Sequence, residues 1–267
     1  MALPPPAPDS TCLVTGASSG IGAEIARELA RRGRGVTLVA RREDRLRELA
    51  DELTRAHGVR AEIVAASVAD HDGRAEMITE IENRDLTVEV LVNNAGFGSG
   101  GRFQDINADN EEGMVRLNVE AVVGLCGIYA PKMVARARGA ILNVGSTAGF
   151  QPLPRQATYA ASKAFVNSFT EALHTDLAGT GVTATVLCPG PTESEFAEAG
   201  GLGSFDQLPS FLVDSAENVA RAAVDGLEKG KRSVIPGAGN VLSAFGGRFA
   251  PRSVLLPALG RFYPVGR

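Results

Sequence analysis

A serine, a tyrosine and a lysine stand at a spacing that suits proton transfer. Twelve residues separate Ser146 from Tyr159, and Lys163 follows the tyrosine by four positions. The residues from Gln156 onward favour a helix, in which positions i and i+4 lie on one face about one turn apart. A free tyrosine has a pKa of about 10, and a neighbouring ammonium lowers this pKa by favouring the phenolate. We therefore expect Tyr159 to exchange protons near neutral pH as a general acid or base.

A glycine-rich segment near the N-terminus suits the binding of a phosphate group. Residues 11–15 form a short apolar run typical of a buried parallel strand, and a helix is expected over residues 19–32. The glycines between them permit a tight turn and let the backbone approach a pyrophosphate, which binds at the positive N-terminus of the helix. The residues of this segment that we expect to contact a dinucleotide are Gly16, Ser18, Ser19, Gly20, Ile21 and Gly22.

Two arginines follow the second apolar run, residues 36–40. NAD-dependent enzymes place an acid at this point, which hydrogen-bonds the ribose hydroxyls. The guanidinium groups of Arg41 and Arg42 are expected instead to pair with a 2′-phosphate, and each charge-assisted hydrogen bond contributes roughly 1.5 to 3 kcal/mol. The expected cofactor is therefore NADPH or NADP+, with NADH disfavoured. The alternative is that both arginines are solvated residues at a helix start, because Arg45 and Arg47 continue the charged run.

Further short motifs follow in order along the chain. They are Asn93-Asn94-Ala95-Gly96, Asn118 and Pro189-Gly190-Pro191-Thr192. Together with the glycine-rich segment and the Tyr-x-x-x-Lys pattern, these motifs resemble the short-chain dehydrogenase/reductase family, in its Thr-Gly-x-x-x-Gly-x-Gly subgroup, over residues 11–236. Apolar strands that alternate with crossover helices also predict a single Rossmann-type doubly wound α/β domain, with a seven-stranded parallel sheet and helices on both faces.

The resemblance implies further cofactor contacts. The family usually carries an aspartate where Ser67 stands, so we expect weaker recognition of the adenine amine by this chain. Val68 is expected to pack on the adenine ring, and Thr192 and Ser194 to fix the nicotinamide carboxamide. The full set of contacts implied outside the glycine-rich segment and the arginine pair is Val68, Asn94, Ala95, Gly96, Tyr159, Lys163, Pro189, Gly190, Thr192 and Ser194.

The resemblance also implies a reaction. In it, hydride passes from the nicotinamide to a substrate carbonyl while Tyr159 donates a proton to the carbonyl oxygen. Ser146 hydrogen-bonds that oxygen, Lys163 lowers the tyrosine pKa and binds the nicotinamide ribose, and Asn118 holds a water through which the proton is resupplied. The expected function is NADPH-dependent reduction of a ketone or aldehyde. Two alternatives remain open: an NAD(P)+-dependent alcohol dehydrogenase working oxidatively, and a non-catalytic NADPH-binding scaffold.

The bulk composition limits the choice of partners and compartment. A formal charge of -4 and a pI near 5.5 argue against nucleic acid as the main partner. The three cysteines are an odd number and fall within apolar runs, so we interpret them as reduced core thiols of a cytoplasmic protein. The three histidines are scattered without ligand spacing, and no metal is expected. No segment was expected to offer the roughly 18 apolar residues of a membrane span.

Three further regions lie around or within the expected domain, residues 11–237. Residues 1–10 are expected to form a flexible proline-rich leader, and residues 196–212 a loop or small lid. Residues 238–267 combine apolar side chains with arginine and contain no acid, so they are expected to pack on the substrate pocket, on a subunit or on an anionic membrane surface. The apolar lid and tail favour a hydrophobic substrate. The family commonly pairs through its two long helices, so a homodimer or homotetramer is expected.

Overall fold

Seven apolar runs pair in one parallel sheet. The computed structural model describes residue 3, residues 5–193, residue 195 and residues 212–262. In chain order the strands are β1 (Ser10–Thr15), β2 (Val36–Ala40), β3 (Ala61–Ala65), β4 (Thr87–Asn93), β5 (Gly139–Val144), β6 (Val182–Leu187), β7 (Thr192–Glu193), β8 (Asp214–Ser215) and β9 (Ser233–Val234). The order across the sheet is β3-β2-β1-β4-β5-β6-β9, while β7 and β8 pair separately. This confirms the doubly wound fold that the sequence predicts.

The helices connect the strands and cover the sheet. They are α1 (Gly20–Arg31), α2 (Glu43–His57), α3 (His71–Glu82), α4 (Ala108–Val115), α5 (Ala121–Ala135), α6 (Ala157–Asp176), α7 (Ala216–Glu228), α8 (Ala238–Phe249) and α9 (Arg252–Phe262). A π-helical turn, Arg116–Glu120, joins α4 to α5, and a 3₁₀ turn, Thr147–Phe150, follows β5. The bounds of α1 agree to within one residue with the helix expected over residues 19–32.

Both faces of the sheet are buried under helices. On one face, α1, α2 and α7 contribute buried side chains such as Leu29, Leu53 and Leu227. On the other face, α3, α5 and α6 contribute side chains such as Met77 and Leu125. Because successive strand residues point to opposite faces, strands covered on both sides read as continuous apolar runs rather than as an alternation.

The strand order reverses between β1 and β4, at the centre of the sheet. In open parallel sheets, ligands bind beside such a reversal, at the carboxyl ends of the strands. The residues that follow β1, β4, β5 and β6 therefore share one edge of the sheet. They are the glycine-rich segment (residues 16–22), the turn at residues 94–96, Ser146 and Pro189.

The long helical stretch requires a correction. Within the described part of the chain, Ala108–Ala135 is long and apolar enough to cross a membrane by length and composition. The expectation that no segment is long and apolar enough to span a membrane is wrong by these two criteria. In this fold, however, the stretch packs against β4, β5 and α6, and it buries side chains such as Leu125 and Met133. It is therefore a helix of the domain core.

The described residues near both ends of the chain include segments that pack against the domain. The C-terminal extension forms α8 and α9 although it carries several glycines and Pro257, which disfavour helix. Helix α8 packs against the Thr147–Phe150 turn, and such tertiary contacts outweigh weak helix propensity. Near the N-terminus, Leu3 is buried and the carbonyl of Pro5 accepts a hydrogen bond from Arg138 at 2.7 Å. These described residues of the leader pack against the domain.

All three cysteines are buried free thiols. Burial raises the pKa of each thiol, in Cys12, Cys126 and Cys188, to about 12. These groups therefore stay protonated and unreactive at neutral pH, as expected of core residues.

Candidate active site

Ser146 and Tyr159 meet at the carboxyl end of β5. Ser146 precedes the Thr147–Phe150 turn, where its Oγ accepts a hydrogen bond from the amide of Ala148 at 3.0 Å. The same hydroxyl donates to the carbonyl of Pro189 at 3.4 Å, which ties the end of β5 to the end of β6. Tyr159 lies in the first turn of α6, and its phenol hydrogen-bonds with Ser146. The structure thus brings together the two hydroxyls that the sequence singled out.

Lys163 lies one turn further along α6, and its ammonium is directed at the sheet. The side chain is buried, and its Nζ donates to the carbonyl of Val144 at 2.8 Å. The distance from Nζ to the centroid of the Tyr159 ring is 5.9 Å. Burial lowers the pKa of Lys163 to about 8. The lysine therefore shares a face with the tyrosine, as predicted, but it bonds to a backbone carbonyl and not to the phenol.

The electrostatics of Tyr159 differ from the sequence-based expectation. We expected a neighbouring ammonium to lower the pKa of this phenol. Burial instead raises the pKa of Tyr159 to about 12, and the hydrogen bond with Ser146 offsets this only in part. The physical reason is that burial outweighs the nearby charge: the Nζ of Lys163 lies 5.9 Å from the ring centroid and donates to Val144. With this pKa, Tyr159 is a protonated phenol at neutral pH.

Asn118 lies at the centre of the π-helical turn and is buried. Its Oδ1 accepts from the amide of Phe97 at 3.1 Å, and its Nδ2 donates to the carbonyl of Phe97 at 2.9 Å and to Ser162 Oγ at 3.1 Å. A Cβ added at Gly96 would lie 2.8 Å from Asn118 Oδ1 and 3.7 Å from Lys163 Nζ. Asn118 thus holds residues 96–97 beside the lysine, from a π-helical turn of a kind that is frequent at functional sites.

The glycine-rich segment packs closely on the turn that follows β4. Asn94 Nδ2 donates to the carbonyl of Thr15 at 3.0 Å and to that of Gly16 at 3.3 Å. A Cβ added at Gly22 would lie 2.3 Å from the same Nδ2, so only glycine fits there. Asn94 therefore stabilises the glycine-rich segment.

The start of α1 fits a pyrophosphate. Its N-cap residue, Ser19, makes no side-chain capping hydrogen bond, and the first turn contains no acidic residue. The first amides of the helix are thus left without a side-chain acceptor, and such amides together with the helix dipole favour a bound phosphate. The residues present therefore suit a dinucleotide at the edge of the sheet.

The adenosine end of this edge carries a cluster of charges. Arg42 Nη2 donates to Ser18 Oγ at 3.0 Å and to Ser19 Oγ at 2.7 Å. Its Nη1 donates to one oxygen of Glu195 at 2.9 Å, and Arg45 donates to the other oxygen at 2.5 Å. The two guanidinium groups, Arg45 first, lower the pKa of Glu195 to about 2.

Arg41 and Arg42, which the sequence predicts to act together, have different surroundings in the structure. Arg42 joins the glycine-rich segment, whereas Arg41 is exposed on the surface. Arg45, which we had assigned to the alternative reading of a solvated charge run, belongs to the cluster through Glu195. No pattern in the sequence connects Glu195 to residues about 150 positions earlier.

A buried arginine, Arg74, supports the loop after β3, which we expect to lie at the adenine. Val68 is buried, and its carbonyl accepts a hydrogen bond from Arg74 Nη1 at 2.9 Å. Arg74 Nη2 also donates to Glu120, in the π-turn that carries Asn118, at 2.8 Å. Ser67 Oγ accepts from the amide of Ala69 at 3.3 Å. The buried guanidinium therefore links the loop after β3 to the turn that holds Asn118.

The expected nicotinamide end lies after β6. The carbonyl of Pro189 accepts from Ser146 and from the amide of Thr147, at 2.9 Å for the amide. A Cβ added at Gly190 would lie 2.1 Å from Asn240 Oδ1, so the first turn of α8 packs directly on this segment. Thr192 lies in β7 and is buried. Ser194, which we predict to contact the nicotinamide, lies outside the described residues. The same holds for the predicted lid over residues 196–212, except for its last residue.

A comparison with protein families identifies the family of this chain. A model of the short chain dehydrogenases matches residues 10–201. The chain belongs to the short-chain dehydrogenase family. Sulfoacetaldehyde reductase 2 of Chromohalobacter salexigens is 39% identical to this chain over 186 residues, which are 69% of this chain and 73% of that relative.

Solved structures of the short-chain dehydrogenase family agree with the fold. A short-chain dehydrogenase from Sphingobium yanoikuyae, in complex with NADPH, superposes with a TM-score of 0.80 at 32% identity and covers 93% of this chain and 95% of its own. A 7beta-hydroxysteroid dehydrogenase gives a TM-score of 0.84 at 27% identity, over 94% of this chain and 96% of its own. This short-chain dehydrogenase is therefore an NAD(P)-dependent oxidoreductase that acts on CH–OH or C=O groups.

One buried residue of the site was missed in the sequence. Asn167 lies one turn after Lys163 on α6, and its Nδ2 donates to the carbonyl of Ser146 at 3.0 Å while its Oδ1 accepts from the Ser146 amide at 3.4 Å. A Cβ added at Gly145 would lie 1.9 Å from Asn167 Oδ1, and one at Gly149 would lie 2.5 Å from its Nδ2. A signal existed, because asparagine is disfavoured in a helix interior and this one lies on the face of Lys163.

Proposed function

We propose that this enzyme reduces a hydrophobic ketone or aldehyde to an alcohol with NADPH, and that Tyr159 is the proton donor. The observation that carries the proposal is the hydrogen-bonded pair of Ser146 and Tyr159 at the carboxyl end of β5, beside the buried ammonium of Lys163. Open parallel sheets bind ligands at that edge. NADPH, when bound, supplies the hydride.

The residues of the site divide the remaining work. The Tyr159 hydroxyl donates its proton to the substrate oxygen, and the Ser146 hydroxyl donates a hydrogen bond to the same oxygen as negative charge develops there. Lys163 contributes positive charge beside the tyrosine and binds the nicotinamide ribose. Asn118 keeps residues 96–97 beside the lysine and supports proton resupply through water.

The protonation state of Tyr159 favours reduction at neutral pH. With a pKa of about 12 the phenol carries its proton under these conditions, so it is ready to donate and is not ready to accept. An alcohol oxidation would require the phenolate, and it should therefore gain rate as the pH rises. The pH dependence of the two directions therefore separates this proposal from the alternative, an oxidative alcohol dehydrogenase.

Arg42 supports NADPH as the cofactor. Its guanidinium lies against Ser18 and Ser19 of the glycine-rich segment, where an adenosine 2′-phosphate would need a cation. The Sphingobium yanoikuyae short-chain dehydrogenase was solved with NADPH, and its similarity to this chain supports the same cofactor class. We assign the preference for NADPH over NADH to Arg42 first, with Arg41 and Arg45 as neighbouring cations.

The C-terminal extension supports the proposal of a hydrophobic substrate. Helix α8 packs on the Thr147–Phe150 turn directly after Ser146, and Gly247 approaches Gln151 so closely that an added Cβ would lie 2.5 Å from its side-chain oxygen. The side chains of α8 therefore border the substrate side of the site. Several of them are apolar, and the related 7beta-hydroxysteroid dehydrogenase is named for a steroid substrate. The relative from Chromohalobacter salexigens is named for a small polar aldehyde, so a substrate panel must contain both kinds.

Exposed apolar side chains and buried thiols support a proposal on how the enzyme assembles and where it works. Val115, Val123 and Phe165 are large apolar side chains that remain exposed on the long helices of the chain. We propose that these helices pair in a homodimer or homotetramer, since exposed apolar patches mark interaction sites. The three buried free thiols suit a reducing, cytoplasmic environment.

The test is a fluorescence titration of the purified protein with NADPH and with NADH, repeated on Arg41→Ala plus Arg42→Ala. We expect NADPH to bind at least about tenfold more tightly than NADH, because one charge-assisted hydrogen bond contributes that much. The double variant should lose the preference and keep its affinity for NADH. Equal binding of both cofactors by the unmodified protein would contradict the NADPH assignment and favour the oxidative alternative.

A carbonyl panel then separates an enzyme from a scaffold. Short and long-chain ketones and aldehydes, a steroid ketone and sulfoacetaldehyde are offered with NADPH, and the loss of NADPH absorbance is followed. We expect turnover of the hydrophobic members. Tight NADPH binding without turnover of any carbonyl would favour the non-catalytic alternative.

A further inference from the structure

Glu195 occupies the place where a cofactor phosphate is expected. Arg42 and Arg45 each donate to a different oxygen of its carboxylate, at 2.9 and 2.5 Å. Resting on the NADPH assignment made above, we propose that Glu195 is an internal competitor for the 2′-phosphate of NADPH. The cofactor displaces this carboxylate from the arginines when it binds, and Glu195 thereby sets how strongly the enzyme prefers NADPH.

The position of Glu195 in the fold supports this role. It follows β6 and β7 on the nicotinamide side of the sheet, whereas Arg42 and Arg45 follow β2 on the adenosine side. The strand order is β2-β1-β4-β5-β6, so Glu195 meets the two arginines from across the three strands that lie between β2 and β6. A dinucleotide that binds along this edge must meet the ion pair.

The chemistry of the two anions explains the exchange. A carboxylate and a phosphate both accept hydrogen bonds from guanidinium groups, but the phosphate carries more negative charge and three acceptor oxygens. The same two arginines lower the pKa of Glu195 to about 2, so the carboxylate stays charged across the working pH range and leaves only by exchange. The groups that face it are Arg42, Arg45 and, through Arg42, Ser18 and Ser19.

The competition lowers the affinity for one cofactor only. The apparent dissociation constant of NADPH equals its intrinsic value divided by the fraction of molecules in which Glu195 leaves the arginines free. NADH carries no 2′-phosphate, so its binding does not depend on freeing them. Because the ion pairs lie on the surface, where such pairs are weak, the effect on NADPH is expected to be about threefold to tenfold.

The experiment compares Glu195→Gln with the unmodified protein in titrations with NADPH and NADH. Glutamine keeps the size of the side chain and removes the charge. We expect NADPH to bind about threefold to tenfold more tightly to the variant, and NADH to change by less than about twofold. Glu193→Gln is the matched control, since Glu193 is an exposed acid of the same segment, in β7, and should leave both affinities within about twofold.

Two nucleotide fragments locate the effect. Calorimetric titration with 2′,5′-ADP should show the same gain in Glu195→Gln as NADPH does, whereas 5′-AMP should show none. In an Arg42→Ala plus Arg45→Ala background, Glu195→Gln should change NADPH binding by less than about twofold, because the carboxylate then has no cation to withhold.

Three results would overturn the inference: unchanged NADPH affinity in Glu195→Gln, weaker NADPH affinity, or equal gains for NADPH and NADH. The last result would mean that Glu195 blocks the whole cleft. The NADPH assignment fails separately, through the unmodified protein. If that protein prefers NADPH while Glu195→Gln changes nothing, only the competitor role is lost.

Discussion

The catalytic end of the site and its adenosine end are built from opposite kinds of interaction. At the catalytic end, Lys163, Asn118 and Asn167 are buried, and each bonds to the backbone of a neighbouring element. At the adenosine end, Arg42 and Glu195 are half-exposed and joined by ion pairs across the cleft.

The energies of these interactions differ as much as their surroundings. Leaving a buried polar group without its partner costs about 1 to 3 kcal/mol, whereas an exposed ion pair contributes about 0 to 1 kcal/mol. A buried constellation therefore keeps its geometry, while a surface cluster exchanges one anion for another. We propose from this comparison that the enzyme separates the chemistry, at the buried end, from the choice of cofactor, at the exposed end.

The largest expected effect is at Tyr159. Tyr159→Phe removes the proton donor and keeps the ring in place. Loss of a positioned acid lowers the rate by a factor of about 100 to 10,000, so kcat for carbonyl reduction should fall by that amount. The dissociation constant of NADPH, measured by fluorescence, should stay within about threefold of the unmodified protein. A variant that keeps more than about a tenth of the activity would exclude Tyr159 as the acid.

The next effect concerns the support of Ser146. Asn167→Ala leaves the Ser146 carbonyl without its 3.0 Å partner and frees the serine to shift. Misplacement by about 1 Å costs up to about 100-fold in rate, so we expect kcat to fall by about 10- to 100-fold while KM for NADPH changes little. Thr170→Val is the control, because Thr170 is equally buried on α6 and bonds to Asn143 and Val166 instead. If both variants lose stability and activity in parallel, Asn167 is a structural residue only.

The smallest of these effects is a pH dependence. Burial lowers the pKa of Lys163 to about 8, below its ordinary value, so the ammonium is lost as the pH rises through that value. Because kcat/KM reports on groups of the free enzyme, kcat/KM for reduction should be constant near neutrality and fall about tenfold for each unit above about pH 8. Lys163→Arg, which stays charged, should remove this decline from whatever activity remains. A profile that stays flat to pH 9.5 would contradict a lowered lysine pKa.

The sequence was informative where spacing along one element determines position. Tyr159 and Lys163 stand at i and i+4, so their shared helix face could be predicted from spacing alone. The strands of the main sheet could be predicted because they read as apolar runs, and the fold followed from them.

The features that the sequence did not yield depend on contacts between distant segments. The pKa of Tyr159 depends on how much water surrounds it and on where the Lys163 ammonium points, and neither follows from spacing. Helix α8 forms from a glycine-rich sequence because it packs on the Thr147–Phe150 turn. The pairing of Glu195 with Arg42 joins residues 153 positions apart, and no local pattern indicates it.

The most direct test of the separation between chemistry and cofactor choice is a paired measurement of kcat and of the NADPH dissociation constant in Tyr159→Phe and Arg42→Ala. The account predicts that Tyr159→Phe loses kcat and keeps NADPH affinity. Arg42→Ala should weaken NADPH binding by about 10- to 100-fold and keep kcat at saturating NADPH within about threefold. If Arg42→Ala lowers kcat as strongly as Tyr159→Phe, or if Tyr159→Phe no longer binds NADPH, the two ends of the site act as one unit and the account is wrong.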